Sequence, residues 1–333
     1  MIADVVLGLQ HGDEAKGKVS YNLAKKSEYT HVVRFNGGAN AGHTIYHEGE
    51  KHVTHHIPAG VFFNKKSLIG PGCVINIKSL IEEIVELEAK GINVLDNLQI
   101  AYNAHIVTDE HLEEDSTDTR IGTTRRGIGP CYTSKFARTG LQAKDVDDLF
   151  IKTFLVDPVL ELNAHGVVAL FEGAQGFGLD VDHGDYPFVT SSNVGIGAVL
   201  NTGIPPQSIR RVYGVAKIYE TYVGAKQFEP QDDDLWGRIR EVGEEYGATT
   251  GRPRQCNWLN WPNLVKAIIV NGVTDLVVNK VDVLRQVGKF GIIVNDSGRV
   301  MEFSSMRELQ QFILDFKVPF VENITFSSSK EKI

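Results

Sequence analysis

The sequence predicts an α/β fold built on a mostly parallel central sheet flanked by helices, with a phosphate cradle like that of P-loop proteins, inserted loops and small subdomains. Two observations predict it. Short apolar runs rich in β-branched residues recur along the chain, as in Val5-Val6-Leu7, His31-Val32-Val33-Arg34-Phe35, Val167-Val168-Ala169-Leu170-Phe171, Arg211-Val212-Tyr213-Gly214-Val215-Ala216 and Asp275-Leu276-Val277-Val278, and such runs suit strands buried on both faces. Loops rich in glycine or polar residues leave the ends of these runs, which is where open α/β sheets collect their ligands. At 333 residues and 42% hydrophobic, the chain can bury a large core, and one body over residues 1–333 is expected.

A net charge of −8 argues against nucleic acid as a partner, since such a binder needs a basic face. Cys73, Cys131 and Cys256 are odd in number and far apart, which implies neither a disulfide framework nor a zinc site and fits a reducing cytoplasm. No apolar run approaches the ~20 residues needed to cross a bilayer, so no membrane partner is expected.

In chain order, the first strand runs into Gly8-Leu9-Gln10-His11-Gly12-Asp13-Glu14-Ala15-Lys16-Gly17-Lys18 and then a helix through Val19 and Leu23. Glycines let backbone N–H groups approach an anion, and the helix adds free N–H groups and a positive dipole end. The spacing Gly12-x4-Gly17-Lys18 meets most of a P-loop pattern, but Val19 stands where a metal-binding Ser or Thr belongs. Asp13 either replaces that ligand and serves as an acid or base, or caps the helix. A second glycine-rich loop, Asn36-Gly37-Gly38-Ala39-Asn40-Ala41-Gly42-His43-Thr44, follows the next strand, and Asn40 and His43 are either ligand contacts or ordinary turn and surface residues.

His52, His55 and His56 invite a metal reading that the strand-like alternation argues against, because it points them to different faces. Ile77, Leu80, Ile81, Ile84 and Val85 repeat at helical spacing and predict a helix packed on the sheet with an architectural role, ending at Gly91. Arg120-Ile121-Gly122-Thr123-Thr124-Arg125-Arg126-Gly127, with Lys135 and Arg138, suits a phosphate held by hydroxyls and guanidinium groups, or a solvated loop. Residues 172–177 and 180–193 place Gln175, Thr190 and several acids just past another strand end.

Residues 231–245 are charge-rich and read as a solvated excursion. Behind them Gly247-Ala248-Thr249-Thr250-Gly251-Arg252-Pro253-Arg254 sets two guanidinium groups two residues apart, a pair able to grip carboxylates bidentately or merely to face solvent. After the strand 275–278 comes Asn279-Lys280-Val281-Asp282, in which a carboxylate can accept the N1–H and 2-amino hydrogens of guanine while a Lys stem covers the ring. The last helix opens on the capping pattern Ser305-x-x-Glu308 and carries Leu309, Phe312, Ile313 and Phe316, with a short polar tail, residues 327–330, behind it.

Over nearly the whole chain these motifs resemble the adenylosuccinate synthetase family, which joins IMP to L-aspartate with GTP hydrolysis. The resemblance rests on residues 10–18, 40–44, 126–130, 171–176, 186–193 and 247–252 taken in order. It implies that Asp13, as base, takes the N1 proton of IMP, that His43, Lys16 and Gln175 belong to the catalytic set, and that Mg2+ is held by Asp13 and the Gly42 carbonyl. It further implies IMP contacts from Asn40, Thr124, Gln175 and Thr190, with Arg138 reaching across a homodimer interface, and aspartate contacts from Thr250, Arg252 and Arg254. The triphosphate falls to Gly12, Glu14, Ala15, Lys16, Gly17 and Lys18, and the guanine to Lys280 and Asp282. The chain departs from the family pattern at His11 and Ala15, where Trp and Gly are common, at Ala39, where His is common, and across residues 224–229 and 325–330. Its length matches compact archaeal-type and viral forms. The alternatives are aspartate ligation to GMP or dGMP, with ATP as a possible donor, and a GTP-binding regulatory switch.

Overall fold

The computed structural model describes residues 1–231, 233–247 and 251–333, with Asp233 described by its backbone alone. Nine strands form one parallel sheet. In chain order they are β1 (Ile2–Gly8), β2 (His31–Arg34), β3 (Lys66–Ile69), β4 (Leu98–Ala101), β5 (Leu155–Val156), β6 (Val168–Glu172), β7 (Ile209–Lys217), β8 (Asp275–Asn279) and β9 (Asn323–Phe326). Their spatial order is β9-β8-β7-β1-β6-β2-β3-β4-β5. From β1 the chain winds outward through β2 to β5, returns as β6 beside β1, then crosses to β7 and winds the other way. All carboxyl ends share one edge, and the direction reverses around β1, where a crevice must open.

Alternation along the strands sorts the core into two layers. Val6, Val32, Leu170 and Val215 face the first helix, α1 (Lys16–Ala24), and pack with Val19, Leu23 and Ala24. Val5, Leu7, Val33 and Leu68 face the opposite layer, which holds the larger cluster. Each fully buried aliphatic side chain contributes about 1.5–3 kcal/mol. A smaller sheet pairs 219–222, 255–260, 291–293 and 300–302, and 43–47 with 50–54 form a hairpin. Among the described residues no helix is long and apolar enough to cross a membrane.

Two expectations from the sequence are corrected. In the helix Ile77–Ala89, capped by Asn76 Oδ1 accepting from Ser79 N–H, Val85 faces solvent at 62% exposure while Glu83 is buried. The charge-rich stretch is no solvated excursion: Asp233–Gly243 is a helix that buries Trp236 and Ile239, and Glu245 behind it is fully buried. The polar tail is docked, with Ser327 buried against Lys18. Glu83 and Glu245 escape a reading of the sequence for one reason: a charged residue near a partner elsewhere in the chain is indistinguishable, along the sequence, from one facing water.

Glu83 shows what such a residue does. Its carboxylate accepts the N–H groups of His55, His56 and Ile57 at 3.0, 3.0 and 3.1 Å, and His55 in turn donates from Nδ1 to the Ala41 carbonyl at 2.8 Å. A helix that carries architecture thereby steadies the loop that ends in His43. The rings of His55 and His56 turn to different groups, the Ala41 carbonyl and the Glu83 carboxylate, and no metal-binding cluster of three occurs among the described residues. Glu83→Ala should cost about 3 kcal/mol, because two buried N–H groups and one half-buried one lose their acceptor at roughly 1–3 kcal/mol each; urea unfolding of the variant measures it.

Candidate active site

The loops leaving the strand ends meet around one cavity of about 620 Å3. Its walls come from the cradle after β1, the loop after β2, Gln175 after β6, Tyr222 beyond β7, and Lys280 and Asp282 after β8.

The cradle is shaped by an internal anion. Glu14 is fully buried and accepts the N–H groups of Gln10 and Gly12 at 3.1 and 2.8 Å through Oε1, while Lys16 Nζ donates to Oε2. Against the burial that would raise it, Lys16 holds the Glu14 carboxyl below the usual range. Asn279 Nδ2 donates to the Glu14 carbonyl at 2.8 Å, and the Gln10 amide is zipped to the end of β7 through the Lys217 and Tyr219 backbone. Gly176 packs so close to Glu14 and Gln10 that a Cβ would collide with both. The loop is therefore fixed with Asp13 and Ala15 left-handed, at φ 60° and 68°. Ala15 occupies the cap position of α1 with no side-chain cap, and Asp13 turns to Arg254, whose Nε lies 2.8 Å from Asp13 Oδ2. Asp13 is an ion-pair member on the cavity wall rather than a helix cap.

Of the residues assigned to the triphosphate, Gly12, Ala15, Lys16, Gly17 and Lys18 line the cavity, whereas the Glu14 side chain points into the protein. The Lys18 ammonium donates to Asn279 Oδ1 at 2.6 Å, Ser327 Oγ at 2.8 Å and the Ser329 carbonyl at 3.0 Å. Burial, with Lys280 nearby, pushes its pKa down to about 8. Lys18 thus ties the cradle to β8 and the tail.

His43 sits on the cavity wall with Nδ1 donating to Glu172 Oε1 at 2.8 Å and Nε2 accepting from Arg34 at 3.3 Å. Burial and then Arg34 push its pKa down to about 4, so it is neutral at pH 7. Glu172 also pairs with Arg34 Nη2 at 2.7 Å and accepts the Ala59 N–H at 3.1 Å; against burial, Arg34 holds its carboxyl down to about 2. Neither Arg34 nor Glu172 was among the candidate residues from sequence. Their signal was a charged residue at the end of an apolar strand, on a sheet buried on both faces.

Asn40, Thr124, Gln175 and Thr190 all line the cavity, and Gln175 holds both amide atoms buried without a partner among the described residues, while its backbone is left-handed, φ 57°. Buried amides without partners are rare, and this one lines the cavity wall as if for a ligand. The Gly42 backbone is on the same wall. Arg138 is not: it is exposed in the left-handed cap position of the helix Ile128–Ala137. Arg252 and Arg254 line the cavity, and Thr250 lies outside the described residues. Arg254 is anchored from behind by Glu245 Oε2, which also faces Lys217 Nζ at 3.2 Å. The Tyr219 hydroxyl donates to Glu245 Oε1 at 2.5 Å. Against burial, Lys217 and Arg254 hold the Glu245 carboxyl down to about 2. Lys280 and Asp282 stand at the β8 end of the cavity, with Lys280 Nζ donating to the Gly243 carbonyl at 2.6 Å.

A family model described as adenylosuccinate synthetase matches residues 5–158 and 150–308. The chain belongs to the adenylosuccinate synthetase family. Curated members from Thermodesulfovibrio yellowstonii and Exiguobacterium are 39% and 41% identical to it over 340 and 337 residues, covering 87% and 85% of this chain and 80% and 78% of theirs. The fully ligated adenylosuccinate synthetase of Plasmodium falciparum superposes with a TM-score of 0.80 at 34% identity, over 91% of this chain and 83% of that one. A cyanophage S-2L succinoaminodeoxyadenylate synthetase superposes with a TM-score of 0.73 over 95% of this chain and 99% of that one; at 23% identity it shares the fold. Two of the departures from the family pattern, His11 and Lys226, meet in space on Asp185.

Glu172→Gln should cost about 3–5 kcal/mol in chemical denaturation by stranding the buried Arg34 cation, and the double replacement of Arg34 and Glu172 by Met should recover most of that loss.

Proposed function

We propose that the chain is a ligase that joins L-aspartate to C6 of IMP with GTP hydrolysis, giving adenylosuccinate in purine nucleotide synthesis. The observation that carries the reading is the juxtaposition, on one wall of a single cavity, of an acid inside a phosphate-binding loop and a guanidinium anchored on a buried carboxylate.

Asp13 takes the N1 proton of IMP, and the 6-oxygen then attacks the γ-phosphorus of GTP as GDP departs. The aspartate amine adds at C6 and phosphate leaves. Lys16 and the cradle N–H groups face the phosphates, with Gly12, Ala15 and Gly17 leaving the backbone accessible. His43, oriented by Glu172 and backed by Arg34, stands beside the transferring group. Asn40, Thr124, Gln175 and Thr190 hold IMP, the orphaned Gln175 amide supplying one donor and one acceptor. Thr250, Arg252 and Arg254 take aspartate, so Arg254 exchanges Asp13 for substrate carboxylate and releases the base. Lys280 and Asp282 recognise guanine.

The carboxylate of Asp13 and the carbonyl of Gly42 are hard oxygen donors on the same wall, and that donor set fits Mg2+. Bound there with substrate phosphates, Mg2+ would neutralise their charge. A homodimer belongs to the same reading, since Arg138 projects away from its own cavity and would serve the 5′-phosphate bound to a second copy. Three buried free thiols suit the cytoplasm.

Phosphate release should require GTP, IMP and aspartate together; release from GTP alone would instead mark a regulatory switch, and turnover of dGMP or use of ATP would reassign the substrates. Asp13→Ala should abolish synthesis, with a loss of at least a thousandfold and an unchanged unfolding midpoint. Arg252→Leu should raise KM for aspartate tenfold or more while KM for GTP stays within threefold. Chelation by EDTA should stop turnover, and added Mg2+ should restore it.

A further inference from the structure

Behind the cavity wall, which His11 itself lines, one cluster of polar side chains joins three of the loops that face substrate. His11 is buried, with Nε2 at 2.8 Å from Asp185 Oδ2 and Nδ1 at 3.5 Å from Glu220 Oε2. Its ring packs edge-on against Phe228 and Tyr222, with centroids 5.0 and 5.9 Å away. Lys226 Nζ donates to the same Asp185 oxygen at 2.6 Å. Asp185 therefore holds the His11 ring from the cradle and the Lys226 ammonium from the segment after residues 219–222.

Neither Asp185 nor Lys226 lines the cavity, but the backbone next to each is bonded into segments that do. The Asp185 N–H donates to the Gly178 carbonyl at 3.0 Å, its carbonyl accepts the Phe188 N–H at 2.8 Å, and the Thr190 N–H closes on Leu179 at 2.8 Å. These bonds set the turn that brings Phe188, Val189 and Thr190 to the wall. Beside Lys226, the Ala225 N–H donates to the Ile121 carbonyl at 3.2 Å and so holds the loop carrying Thr124. Gln255 fixes the Lys226 carbonyl from the other side at 2.8 Å.

We propose that Asp185, clamped between His11 and Lys226, is a positioning residue for the acceptor half of the site, setting the Thr190 and Thr124 loops at the spacing a purine monophosphate requires. The cradle has its own supports in Glu14, Lys16 and Asn279, so release of the clamp slackens the acceptor loops and leaves the donor triphosphate site in place. The inference rests on the ligase reading, through the placing of Thr124 and Thr190 against the acceptor.

The test is steady-state kinetics and calorimetric binding on the full-length protein, with the purine monophosphate the wild type turns over. Wild-type turnover of IMP with GTP and aspartate tests the function; the ratio of variant to wild type tests the clamp. Asp185→Asn should raise KM and Kd for the monophosphate at least tenfold, with kcat and the KM values for GTP and aspartate within threefold. Lys226→Met, which alters a side chain 30% exposed, should shift the same parameters in the same direction by a smaller factor and stay folded. Adding Lys226→Met to Asp185→Asn should change nothing further, because the lysine acts through Asp185, and Asp185→Glu should restore part of the loss. An unchanged monophosphate KM in Lys226→Met, a uniform loss across all substrates, or full additivity in the double variant would overturn the proposal.

Discussion

The site depends on a carboxylate placed where a phosphate-binding loop is ordinarily free of negative charge. Glu14, sealed from solvent, draws in the N–H groups of Gln10 and Gly12 and the ammonium of Lys16. That internal anion costs desolvation, and the three charge-assisted bonds offset it. With the loop drawn around Glu14, Asp13 is held left-handed and its side chain has no course but outward, toward Arg254. A neutral residue at position 14 would leave the same glycines free to adopt many loops, of which few would present Asp13 to the cavity.

The pairing recurs with other residues around the rim. Glu172 sits beneath His43 with Arg34, Glu245 sits beneath Arg254 with Lys217, and Asp185 sits behind the Thr190 turn with His11 and Lys226. In each case an acid behind the wall fixes a cation or a ring that faces the cavity. Buried pairs of this kind are weak contributors to stability but strong constraints on position, because separating the charges in a low dielectric is costly in every direction. The bonds are buried around the cradle, and the partners are partly exposed around 184–190 and 224–229.

Parallel topology explains why these acids are at strand ends. With all nine carboxyl ends on one edge, every loop that leaves the sheet there shares the same crevice, and the reversal of winding around β1 keeps it open. Residues far apart in sequence, such as Glu14 and Asn279 or His11 and Asp185, become neighbours without any long excursion of the chain.

The sequence by itself determined the layered parallel sheet, the cradle, the second glycine loop and the residues of 252–254 and 279–282 that line the cavity, because strand burial and turn chemistry leave periodic and compositional marks along a chain. It also carried the family pattern, and so the reaction. What only the tertiary structure decided was the fate of individual charges: Glu83 steadying the loop before His43, Trp236 and Glu245 buried in a stretch that reads as solvated, Lys18 tied to the tail, Arg34 and Glu172 beneath His43, and Arg138 turned away from its own cavity. A run of apolar residues marks a buried strand along the chain, but an ionised residue is buried only where a partner waits, and that partner is set by which strand ends the fold makes adjacent.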